Sequence, residues 1–156
     1  LSVIATAYDW ELFAHVLAGM IWLGAIVLLE AIAIRTVTGD DAAAAGRLVC
    51  TLRAVGPFLM APMPVILLAF GIWMVADSEA WDFDQTWVQV ALALFVVAFG
   101  IGAAHQSRTA LAAERAAAAG DHRAANDQLR RWAWGMGAII LLLVVATWDM
   151  IFKPGL

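Results

Sequence analysis

Ionisable side chains in the middle of apolar sequence are costly, so their spacing is the first guide to chemistry here. Glu11, His15, Gly19, Trp22, Ile26 and Glu30 follow one another in steps of three or four. At about 100° per residue they fall within an arc of about 100°, a single helix face that should point into a bundle. An imidazole at the depth of His15 can bind haem iron, bind copper or relay a proton. Alternatively it is satisfied by hydrogen bonds between helices. Gly19, one turn on, admits either a flat ligand or another helix. Glu11 and Asp149 lie near one boundary of the apolar sequence and are candidate proton or polar partners for His15. Asp149 has an equal alternative in Lys153 at i+4. Glu30, near the opposite boundary, is expected to pair with Arg35 or Arg53.

Met63 is a second candidate metal ligand beside His15. It lies among Pro57, Met60, Pro62 and Pro64, where the prolines free backbone carbonyls and bend a helix. Two methionines beside a bent backbone can bind Cu(I), and Met63 can also serve as an axial haem ligand. The more ordinary role of such methionines is packing. His105 lies about 20–25 Å from His15 in depth, judged from a rise of 1.5 Å per residue, so the two cannot share one iron. It reads as an interfacial histidine, and His122 as a solvated one. Cys50 reads as a small buried hydrophobe. As the one cysteine of the chain it has no intramolecular disulfide partner. No phosphate-binding Gly-Lys loop, His-Glu-x-x-His or paired-cysteine metal site occurs.

The elements that must carry these residues are membrane helices. The 156 residues are 64% hydrophobic and 14% charged. A soluble domain averages about 45–50% apolar and about 25% charged, so a water-soluble fold of this size has nowhere to hide that surface. The net charge of −4 points away from a nucleic-acid partner, which needs a basic protein surface. Four segments are long enough for the roughly 30 Å hydrocarbon core: residues 10–34, 55–76, 87–104 and 132–152. The expected fold is all-α, a single integral membrane domain formed as a four-transmembrane-helix bundle. The acidic start of the first segment does not read as a secretory signal.

Eight of the nine basic residues lie in or beside the first and third connections, and the second carries only acids. The positive-inside rule then puts the first and third connections in the cytoplasm and both termini outside, in a bacterial-type inner membrane. Trp10, Trp73, Trp81, Trp87 and Trp148 fall near the outer interface, and Trp132 and Trp134 near the inner one. Asp40 or Asp41 can cap a helix that starts at Ala42–Ala45 and runs into the second span. Ala110–Ala119 should carry the third helix beyond the membrane, until Gly120-Asp121 stops it and starts the fourth.

Several of these segments resemble known membrane families. LFAHVLAGMIWLGAIVLLEAIAIR places His15 ahead of a Trp-x-Gly pair, Trp22 and Gly24. That pattern is similar to one in HemJ-type protoporphyrinogen oxidases, in CopD-type membrane domains and in an uncharacterised family of predicted integral membrane proteins. WVQVALALFVVAFGIGAAHQSR resembles the third helix of the HemJ type. ATWDMIFKPG resembles the closing helix of that type and of the uncharacterised family, which is the nearest in pattern. The HemJ resemblance implies that His15 is a haem ligand. It also implies a lysine in the third helix after a tryptophan. Trp87 matches the tryptophan, but Ala91 stands at the lysine position.

Three functions are compatible with this sequence. The first is a haem b-binding membrane protein with a redox or porphyrin-related role, with His15, Gly19 and Trp22 at the cofactor. The second is a non-catalytic accessory subunit of a larger membrane complex or a homo-oligomer. For that role Gly100, Gly102, Ala103 and Ala104 offer a small-residue surface, although packing against the chain's own helices is their ordinary use. The third is a copper or small-solute permease using Met60, Met63 and His15.

Overall fold

The computed structural model describes residues 6–39 and 41–155. Four rods cross the molecule. The first is α1, Ala7–Thr38. The second is α2, Ala42–Leu59, followed by α3, Pro62–Ala76. The third is α4, Thr86–Gly100, which passes through a π-helical segment, Ile101–Gln106, into α5, Ser107–Ala118. The fourth is α6, His122–Phe152. All four are long and apolar enough to cross a membrane.

Local chemistry sets the boundaries. Thr6 and Asp9 form a reciprocal capping box at the start of α1. Asp41 caps α2 by accepting from the Ala43 amide at 2.9 Å, and its carboxylate also meets Arg47 at 3.1 Å. The Ala44 amide, Arg47 and the Ala43 amide together hold the Asp41 carboxyl below the usual range. The capping contribution is therefore complete above the ordinary aspartate pKa and is lost as pH falls through the lowered value. Rod two breaks at Met60–Ala61, where Pro62 and Pro64 follow, and Pro57 lies inside α2. Gly120, at φ +74°, ends rod three, and Asp121 caps α6 through the Ala124 amide at 2.9 Å.

The rods pack in the order α3, α1, α6, α4. Among the described residues, α3 and α4 share no packed face, so that side of the bundle is open. Toward the other end α2 closes the structure by meeting α1, α5 and α6. Trp22, Ile26, Leu29, Leu129, Met136 and Ile139 lie at the centre of the core. Apolar side chains such as Met20, Phe58 and Leu141 are exposed around the outside, which suits a bundle whose solvent is lipid.

One end gathers the start of α1, the acidic 77–85 connection and the C-terminus. There the Lys153 ammonium sits 3.4 Å above the Trp81 ring centroid and 5.2 Å from that of Trp87. The other end holds the basic connections. Replacing Lys153 by glutamine is expected to lower stability by about 0.5–2 kcal/mol, the range of a cation–π contact, as a reduced melting temperature in detergent. No change would show that the contact is unimportant to the fold.

Several expectations need correction. Cys50 is exposed, because α2 turns that face away from its neighbours. The small residues Gly100, Ala103 and Ala104 are exposed, and a methyl group built at Gly100 or Gly102 meets nothing within 4 Å. They do not pack against the chain's own helices.

Candidate functional site

The stripe on α1 faces inward. Glu11, Trp22 and Ile26 are buried, and His15, Gly19 and Glu30 are half-buried. The His15 ring lies against α3, with Nδ1 2.9 Å from the Leu67 carbonyl oxygen. A carbonyl can only accept, so Nδ1 carries the hydrogen and the neutral ring keeps its Nε2 lone pair. Gly71, four residues beyond Leu67, makes room for this contact. A Cβ there would lie 3.0 Å from His15 Cε1 and 3.3 Å from Nδ1. Anchoring one imidazole nitrogen on a backbone carbonyl and presenting the other is how proteins orient metal-binding histidines.

Three further polar atoms lie at this end of the core without hydrogen-bond partners: Glu11 Oε2, Trp22 Nε1 and Asp149 Oδ2. Asp149 is 2% exposed. Glu30 approaches α6 at Gly137, 3.7 Å from where a Cβ would stand. Equal helical rises from that pairing bring Asp149 level with Ala18, about one turn from both His15 and Trp22. The α4–α6 register is fixed independently by Trp87 with Lys153 and by His105 with Gly135. By equal helical rises Asp149 then falls near the level of Ala91, which is also buried.

Asp149 is not paired with Lys153, whose ammonium is taken by the tryptophans. Asp149→Asn, which keeps the shape and removes the charge, is expected to maintain or raise the melting temperature, because no ion pair offsets the burial of that charge. A clear fall would mean that the carboxylate itself holds the helices together.

Glu30 also departs from expectation. Its Oε2 is buried without a partner, and Arg53 instead pairs with Glu114 at 2.7 Å. Gly19 does not face an open space. A Cβ there would lie 3.4 Å from Leu67 Cδ1, so Gly19 serves the close approach of α1 and α3. The Trp22 ring packs near Phe95, with centroids 6.4 Å apart. Met60 and Met63 pack against the buried cluster. No group of three His, Cys, Asp or Glu side chains converges to hold a metal among the described residues.

His105 uses its other nitrogen. Its Nε2 lies 3.1 Å from the Arg131 carbonyl oxygen, four residues before Gly135. The same carbonyl-and-glycine seat thus occurs in both hairpins. Here the ring tip is engaged, and His105 fastens the π-helical segment to α6 from an exposed position. His122 is exposed, on the rim of a separate cleft at the basic end.

Between Trp22 and Glu30, about 12 Å along α1, the interior is filled by Ile26, Leu29, Met136, Ile139 and Leu143. The polar group at one end is therefore separated from Glu30 by a dry layer.

The family described as "Predicted integral membrane protein (DUF2269)" matches residues 12–154. The chain belongs to this family. The match spans all four rods and includes His15, Gly71 and Asp149 of the site; Glu11 lies just before it. No curated protein and no solved structure matches the chain.

Proposed function

We propose that this DUF2269 protein binds haem b in the membrane and has a redox role, in which His15 would hold the iron through Nε2. One observation carries the reading: the Nδ1 hydrogen bond to Leu67, seated over Gly71, fixes the ring and leaves its outer nitrogen free. The donor chemistry fits a haem iron. When bound, the haem supplies one-electron chemistry. The chain's own contribution is to orient His15, to exclude water with Trp22 and Phe95, and to hold protons at Asp149 and Glu11. Met63 packs against the cluster that contains Trp22, and His105 is bonded to the Arg131 carbonyl on α6, so His15 is the donor this reading rests on. By the positive-inside rule this half of the bundle faces the outer side of a bacterial inner membrane.

The test is the visible spectrum of protein purified in mild detergent after expression with added haem precursor. A Soret band that sharpens on dithionite reduction supports the proposal. A featureless spectrum overturns it.

A second reading, an accessory subunit of a membrane complex, is favoured by the outward-facing small residues at Gly100–Ala104. They let a partner helix approach closely. Cross-linking from a cysteine placed at Ala103 should then trap a neighbouring subunit in the native membrane, and trapping of lipid alone would reject it.

A further inference from the structure

Where α2 meets α5, a groove of about 260 Å³ lies between the two helices. Its walls are mostly apolar, including Val49, Leu52, Pro57, Ala110 and Leu111. Its charged members are Arg53 and Glu114, joined at 2.7 Å between Nη1 and Oε1, with the arginine side chain 75% exposed. Arg53 is the last charged residue before the uncharged run 54–76. On α2 the pair therefore lies at the end of the uncharged run, where that span meets the headgroups, with Pro57 and Ser107 on the span-facing side of the groove.

We propose that this groove binds phosphatidylethanolamine, with one acyl chain along the apolar wall and the zwitterionic headgroup at Arg53 and Glu114. Charge complementarity selects this lipid. The guanidinium offers paired N–H donors to a phosphate, and the carboxylate accepts from a primary ammonium. Phosphatidylcholine presents the same charges, but its quaternary nitrogen has no N–H to donate to Glu114. Phosphatidylglycerol has no cation for Glu114 and would set its phosphate near a carboxylate. The inference does not depend on haem binding.

The experiment is native mass spectrometry of the full chain released from nanodiscs containing equal parts of the three lipids. Wild type is expected to retain phosphatidylethanolamine several-fold over the other two. Glu114→Gln should erase the preference over phosphatidylcholine, and Arg53→Gln should reduce retention of all three. Leu111→Trp leaves the ion pair intact and fills the groove. It should lower retention severalfold while the melting temperature holds, which separates lost binding from lost folding. Equal retention of the three lipids would overturn the proposal. So would a preference for phosphatidylglycerol, which would mark a site for acidic lipid, or wild-type retention in Leu111→Trp.

Discussion

Exchanging His15 for alanine should remove the Soret band from protein that otherwise purifies and folds as wild type. Imidazole added to this variant should restore part of it by occupying the vacated position. The expectation follows from the hydrogen bond that holds Nδ1 on Leu67 and leaves Nε2, the nitrogen that the proposed function gives to the iron. An unchanged spectrum in His15→Ala would place the iron elsewhere. Gly71→Leu provides a separate check. It keeps the imidazole but fills its seat, and should weaken haem retention almost as much.

Gly135→Ala is expected to destabilise the protein by about 1–3 kcal/mol, because the added methyl must push the exposed His105 ring and the buried Gln106 side chain off α6. The added methyl would stand 2.5 Å from His105 Cδ2, 3.1 Å from Nε2 and 3.2 Å from Gln106 Oε1. Moving His105 away also sacrifices its bond to Arg131, worth about 1 kcal/mol. Alanine is the better helix former by about 1 kcal/mol, which is too little to reverse the sign. Gly46→Ala is the control. Nothing lies within 4 Å of a methyl there, so only the propensity gain remains. The melting temperature should fall for Gly135→Ala and rise slightly for Gly46→Ala. If both rise, the seat of His105 is looser than the geometry states. The haem spectrum should be unaffected in either variant, because the proposed function gives the iron to His15 at the other end of the core.

Much of the fold was legible because hydrophobic runs and caps are local properties of the chain. The four spans, the start of α2 after Asp41, the bend among the prolines and the restart at Gly120-Asp121 all follow from neighbouring residues. The inward stripe on α1 was legible for the same reason. What the sequence withheld was pairing between rods. Gly71 and Gly135 look like ordinary membrane glycines until a histidine from another helix is laid against them. Nothing in the spacing distinguishes His15, anchored through Nδ1, from His105, anchored through Nε2. Glu30 and Asp149 each had a plausible local cation, and geometry denied it to both. The π-helical segment Ile101–Gln106 also lacked a signal in the neighbouring residues.

The dry layer of Ile26, Leu29, Met136, Ile139 and Leu143 has an electrical consequence. Asp149 and Glu30 lie on either side of it, within the span. Moving one elementary charge across the whole membrane costs about 2.3 kcal/mol for each 100 mV. A charge passing through this layer, about 12 Å of a roughly 30 Å hydrocarbon core, would feel something under half of that.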